Sequence, residues 1–312
     1  MGTTYQVDII HPDKNLVDTR LAEGIRATLD SIEQRMSNWR EDSEISQFNR
    51  LPIETSFPVS PDTYEVIALA QSINTLTDGA FDITIGPLIE LWGFGVTDKG
   101  PLIPTEQAII QTRKHTGYQH LSLISGKKRI KKISPITLNL SAIAKGYAVD
   151  KLAEYLIDQD ITRFIVEVGG EIRAQGLKID NTPWRIAIEQ PAYTGSTVKR
   201  EVRQVVSLTD NAIATSGDYR NYFTIDGKRY SHIIDPLTGW PVKHDLASAS
   251  VIDPSAARAD ALATAFTVMG KERSIIFCKK NRIAAYFIVK NQDQFIQQMT
   301  PEFKKYLTTI AE

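Results

Sequence analysis

Three clusters in this chain combine residue types that could do chemistry. The first is Tyr230-Ser231-His232-Ile233-Ile234-Asp235-Pro236-Leu237-Thr238-Gly239-Trp240-Pro241-Val242, where Pro236 and Gly239 bracket a tight turn beside an imidazole and a carboxylate. A neutral imidazole accepts a proton near neutral pH, so the segment suits general-base work on a turn carried by strands. On its own it is equally a hairpin corner around a core histidine. Just upstream, Ala214 to Phe223 forms a second polar knot that opens on a Thr215-Ser216-Gly217 turn.

The second cluster is Asp260 with Thr264, four residues apart in an alanine-rich segment and therefore on one helical face. A carboxylate on an apolar face is costly unless it is paired or coordinates a cation. Carboxylate plus hydroxyl supplies the hard oxygen ligands that Mg²⁺ takes when few protein groups hold it. The other reading is an ion pair with Arg258 or Lys145. The third cluster runs from an Ile136–Leu140 strand through Ser141-Ala142-Ile143-Ala144 to Lys145-Gly146 and a helix continuing past Leu152 and Tyr155. Strand, small-residue turn and helix present backbone amides and a lysine to phosphate. The glycine spacing is not that of a Walker loop.

The elements that must position these groups are legible from periodicity. Leu21, Ile25, Leu29, Ile32 and Met36 recur at helical spacing, and the helix they predict ends in a polar loop holding one large aromatic, Trp39. That ring is a surface anchor or a platform for a planar ligand. A second helix begins at Ser60 as cap and Pro61 at the first position, and stops before Asp78-Gly79. Gly79 to Gly95 then sets glycines beside Phe81, Trp92 and Phe94, either for close approach to a ligand or as a plain turn.

Phe164 to Ile172 reads as a strand broken by Gly169-Gly170, with a bulge or a ligand contact there. In the last helix Asp253 is the expected cap, Pro254 the first helical residue and Gly270 the stop. Strands at 202–208, 222–225 and 284–289 complete a largely antiparallel sheet with helices on it, an α+β fold.

Composition excludes several classes. With 36 basic and 37 acidic residues and no basic block beyond Lys127 to Lys132, there is no footprint for nucleic acid. The single cysteine, Cys278, lies in an apolar run and reads as buried, which rules out a disulfide framework. No run approaches the ~20 apolar residues of a membrane span. The chain opens directly on a strand-like alternation without the features of a signal peptide, so the expectation is an exported protein whose leader has been removed, or else a cytosolic one.

With these segments in order, the chain resembles the FAD:protein FMN transferase (ApbE) family over nearly its whole length. The resemblance rests on Met1 to Tyr5, Met36 to Asn49, Gly79 to Gly95, Ile143 to Asp150, Val168 to Gly170, Thr215 to Tyr222, His232 to Pro241 and Ala259 to Thr264. It implies mixed, largely antiparallel sheets flanked by helices around a T-fold-like core. Residues 1–312 would form a single unit, or two intertwined subdomains with the FAD site between them. It also implies a periplasmic protein at the bacterial inner membrane, touching the membrane only through a lipid anchor. Such a protein splits FAD, joins FMN by a phosphoester to a threonine or serine of a flavoprotein subunit, and releases AMP. The implied acceptors are subunits of Na⁺-translocating NADH:quinone reductase or Rnf-type complexes.

Residue by residue, the resemblance assigns Mg²⁺ to the side chains of Asp260 and Thr264 and the carbonyl of Ala142. Trp39, in a slot where the family usually has tyrosine, would stack on the flavin or adenine. Met1, the Ala80-Phe81-Asp82 turn, Asn139, Lys145 and Ser231 would line the dinucleotide, and His232 would be the base beside the Asp235 turn. The chain departs from the family with Asn139 where aspartate is common, Ser141-Ala142 where paired glycines are common and Glu171 where aspartate is usual. Two other functions stay open at this point: an FAD pyrophosphatase using water as acceptor, and a non-catalytic flavin-binding protein.

Overall fold

A computed structural model describes residues 2–11, 19–97, 100, 102–124, 126–191, 202–217, 222–292 and 294–308. It is an α+β structure whose chain divides into two compact units, one built from Ser31–Ala144 and Arg220–His244, the other from Gly2–Asp30, Lys145–Tyr219 and Asp245–Glu312. Both units interleave in sequence.

The second unit holds a seven-stranded antiparallel sheet in the order Tyr5–Ile9, Phe164–Val168, Glu171–Gln175, Asn211–Gly217, Leu246–Asp253, Ala284–Asn291 and Gln294–Met299. Leu246–Asp253 is buried at every position but its last. Covered on both faces, it needs no alternation and is written with small residues instead. Against one face lies the Ala256–Asn281 helix, with Phe266 edge-on to Phe287 at 5.9 Å. Against the other, Ile213, Ile252, Tyr286 and Ile288 pack with Trp184, Ile186 and Val206 of the Trp184–Glu189/Val202–Leu208 hairpin. Cys278 is buried, as expected, and burial pushes its thiol up to about 12.

The first unit contains the Pro61–Leu76 helix, capped by Ser60, whose Oγ accepts from the Thr63 amide at 3.2 Å. Beside it are the three-stranded sheet of Ser56–Pro58, Arg129–Lys132 and Leu121–Ile124, the short helices Gly86–Leu91 and Glu106–Arg113, and the Tyr222–Ile225/Lys228–Ser231 hairpin.

Four local expectations are corrected. Ile136–Leu140 forms no regular strand, only a parallel bridge between Thr137 and Ile85. At Leu138 the backbone is paired by side chains: Asn38 Nδ2 and Asn49 Nδ2 donate to its carbonyl at 2.6 and 2.9 Å, and Asn49 Oδ1 accepts from its amide at 2.7 Å, while the Asn139 amide donates to the Ile83 carbonyl at 2.7 Å. Gly169-Gly170 is a two-residue hairpin turn rather than a bulge, with φ of 62° and 101° that only glycine adopts freely. Thr215-Ser216-Gly217 belongs to a strand, because its hydroxyls are satisfied by Ser250 at 2.7 Å and Thr267 at 3.1 Å. Finally, Ser255 and not Asp253 caps the last helix, and Gly270 is a kink (φ 75°) after which the helix resumes.

Candidate active site

In the second unit, two helix N-termini meet. The helix Ala144–Asp158 leaves its first-turn amides without intrahelical partners. One of them, Gly146, donates to Asp260 Oδ2 at 3.1 Å. Asp260 comes from the Ala256–Asn281 helix, whose own first amides, Ala256 and Ala257, donate to Asp150 Oδ1 and Oδ2 at 3.0 Å each. Ser255 Oγ and Arg173 add bonds to Asp150 at 2.8 Å apiece. Each helix therefore supplies the carboxylate that caps the other, where the macrodipole also favours negative charge. Gly146 is required at this crossing, since a Cβ would collide with the Ala256 carbonyl.

Lys145 projects from the same first turn, with Nζ 2.8 Å from Glu171 Oε1 and 3.5 Å from Asp260 Oδ2. Glu171 opens the strand after the glycine turn. A Cβ on Gly169 would press on Lys145 Cδ at 3.2 Å, so the turn leaves room for the lysine stem. Burial alone would lower the Lys145 ammonium, but the Asp260 and Glu171 carboxylates hold it above its ordinary value. Burial pushes Glu171 up to about 8, with the charge of Asp260 adding to the rise and Lys145 opposing it.

Glu171 Oε2 is buried without a hydrogen-bond partner. Two carboxyl groups thus face one ammonium. Thr264 follows Asp260 by one turn and is half-buried. Its oxygen donors fit a hard divalent cation. Among the described residues no three His, Cys, Asp or Glu side chains gather as a metal cluster, so such a cation would rest on few protein ligands.

In the first unit, His232 leaves the Lys228–Ser231 strand half-buried, with its ring 6.4 Å from that of Phe94 at 69°. The turn that follows is closed by the Gly239 amide donating to the Asp235 carbonyl at 2.7 Å and the Asp235 amide donating to the Trp240 carbonyl at 2.9 Å. Asp235 Oδ1 accepts from the Leu237 amide at 2.9 Å, so this carboxylate holds the turn's shape. Gly239 has φ 76°, and a Cβ there would meet Ile109 Cγ2 at 2.7 Å. Its carbonyl accepts from Trp92 Nε1 at 2.9 Å. Trp92, Trp240, Phe94, Phe223 and Tyr230 form a chain of ring contacts 5.0 to 5.8 Å apart around the turn. The histidine stands on a rigid aromatic frame.

Residues 1–287 match the model of the ApbE family. The chain belongs to that family. It is 44% identical to an FAD:protein FMN transferase of Vibrio cholerae, over 99% of this chain and 91% of that protein. It is 37% identical to the Escherichia coli protein of the same name, over 99% and 88%. Among solved structures, the flavin transferase ApbE from Vibrio cholerae superposes with a TM-score of 0.88 at 42% identity, covering 98% of this chain and 96% of that one. The ApbE protein of Thermotoga maritima gives 0.86 at 30% identity, covering 98% and 99%.

The other residues assigned through the ApbE resemblance fall as follows. Trp39 is 69% exposed, which removes a core role for its ring. Ala80 and Phe81 are buried, and Phe81 spends its carbonyl on Asn74 Nδ2 at 2.7 Å, so Asp82 is the member of that turn with a polar side chain. Asp82 Oδ1 accepts from the Thr84 amide at 2.8 Å, and burial raises its carboxyl above the usual range. Asn139 is half-buried, with Oδ1 accepting from the Ser141 amide at 3.0 Å. Ala142 is half-buried in the turn before the Ala144–Asp158 helix. Ser231 is buried, its Oγ accepting from the Ile233 amide at 3.1 Å. Met1 lies outside the described residues. Asp260 is paired with Lys145, while Arg258 is taken by Asp253 at 3.0 Å.

Sequence reasoning missed Asp150, although it stands among apolar residues of its helix as Asp260 does. Asp150→Ala is expected to cost about 3 to 5 kcal/mol, because it strands Arg173 and two helix-terminal amides in a buried setting. Equilibrium unfolding in urea measures this, and an unchanged midpoint would show that the cross-capping carries no stability.

Proposed function

We propose that this chain is a Mg²⁺-dependent FAD:protein FMN transferase that joins FMN by a phosphoester to a threonine or serine of a flavoprotein subunit and releases AMP. The observation that carries this reading is the Lys145–Glu171–Asp260 cluster at the paired helix N-termini, in a chain similar end to end to transferases of that name. The Lys145 ammonium, partly exposed at the start of the Ala144–Asp158 helix, suits a pyrophosphate. Asp260 and Thr264 would hold Mg²⁺, which when bound neutralises charge growing on the pyrophosphate oxygens.

The acceptor hydroxyl attacks the FMN-side phosphorus and forms the new P–O bond. The bond to the AMP phosphate oxygen breaks, and AMP leaves with the electron pair. His232 takes the hydroxyl proton. The natural acceptors in this proposal are subunits of Na⁺-translocating NADH:quinone reductase or Rnf-type complexes at the periplasmic face of the inner membrane.

Incubation with FAD, Mg²⁺ and such a subunit, followed by mass spectrometry of the subunit, tests the reading. FMN mass on a threonine supports it. An unmodified acceptor beside free FMN and AMP would make the protein a pyrophosphatase instead.

The exposed Trp39 ring is the group in this loop suited to stacking on FAD. Trp39→Ala should loosen FAD by about 1 to 3 kcal/mol, the range of base-stacking contacts. Fluorescence titration reads this, and an unaltered dissociation constant returns Trp39 to a surface anchor.

A further inference from the structure

Resting on the assignment of Asp260 as a cation ligand, we propose that the Lys145 ammonium and a divalent cation compete for the Asp260 carboxylate. Lys145 Nζ lies 3.5 Å from Asp260 Oδ2, the oxygen that also takes the Gly146 amide. The two carboxylates are fixed and buried, with side chains 3% and 4% exposed, whereas the Lys145 side chain is 31% exposed. The member of the cluster with access to solvent is therefore the lysine.

Glu171 gives that lysine a second berth. Its Oε1 already holds Nζ at 2.8 Å, and its Oε2 is buried and unpartnered, so the carboxylate has capacity to keep the ammonium when Asp260 is taken by a cation. The lack of a side chain at Gly169 keeps the lysine stem uncrowded, since a Cβ there would lie 3.2 Å from Lys145 Cδ. A pyrophosphate entering over the helix N-terminus draws the ammonium off Asp260 and clears the ligand. Cation affinity is then linked to nucleotide binding, and by reciprocity each raises the other. The protein without nucleotide holds Mg²⁺ weakly.

The test is calorimetric titration of the FAD-free protein with Mg²⁺ alone at pH 8, for the wild type, Lys145→Met, Glu171→Gln and Asp260→Asn. Lys145→Met should bind Mg²⁺ about tenfold more tightly, since a positive charge beside the ligand is gone. Glu171→Gln, which leaves Asp260 as the ammonium's only carboxylate, should bind it more weakly. Melting temperatures establish that each variant is folded, and Lys145→Gln replaces Lys145→Met should the latter not fold. Equal or weaker Mg²⁺ binding on loss of the ammonium overturns the competition. Wild-type Mg²⁺ affinity in Asp260→Asn is a different failure, because it removes the cation site itself.

Discussion

Asp260→Ala is expected to lower Mg²⁺-dependent FMN transfer by about 10²- to 10³-fold, the loss seen when a preorganised electrostatic contact to a developing charge is removed. The expectation follows from what surrounds this carboxylate. It is 3% exposed, accepts the Gly146 amide and sits within reach of Lys145. Its removal orphans the amide, leaves Lys145 to Glu171 alone and takes the carboxylate from the Asp260–Thr264 face. Thr264→Val removes one neutral oxygen and should cost much less. Single-turnover transfer against Mg²⁺ concentration measures both, with melting curves to separate lost chemistry from lost folding. An Asp260→Ala protein with unchanged Mg²⁺ dependence would remove this carboxylate from the mechanism.

His232→Asn should lower transfer by about 10²- to 10⁴-fold, the usual worth of a positioned proton acceptor, while FAD and Mg²⁺ affinities stay near native. The aromatic frame makes the variant informative. Trp92 is tied to the Gly239 carbonyl and Asp235 to the Leu237 amide, turn contacts that an asparagine at 232 leaves intact, while the edge-on contact with Phe94 is lost. A histidine that only packed against Phe94 would show a different pattern when replaced, with melting temperature and FAD affinity falling together and no selective loss of rate. Native rate in His232→Asn would exclude it as the base.

Much of the scaffold is legible in the amino-acid sequence. The Thr19–Met36 and Pro61–Leu76 helices follow from apolar spacing and from Ser60-Pro61, because those signals are local. Leu246–Asp253 is invisible to the same reasoning: a strand covered on both faces and built of serine and alanine carries no alternation. Ile136–Leu140 looks like a strand, yet it joins no sheet and its Leu138 backbone is paired by the amides of Asn38 and Asn49 from distant sequence, which no local pattern reveals. Thr215 to Gly217 have turn composition, but hydroxyl pairing with Ser250 and Thr267 lets them lie in a sheet.

The site divides along the same line. Asp260 stands out as a lone charge among alanines, and its partner Lys145 is one of the two pairings the sequence allows. Asp150 has equal weight in the structure but becomes meaningful only when two helix starts are seen to cap one another. The aromatic frame of His232 is assembled from segments far apart in the chain, so Phe94 and Trp92 read only as members of a glycine-rich loop.

Transfer and hydrolysis of FAD differ in what receives FMN. The decisive measurement counts AMP released against FMN attached, with and without an acceptor subunit, in the presence of FAD and Mg²⁺. Transferase action predicts one AMP for each FMN found on the acceptor threonine, and little AMP when the acceptor is left out. AMP and free FMN formed in equal amounts at the same rate without acceptor would contradict it.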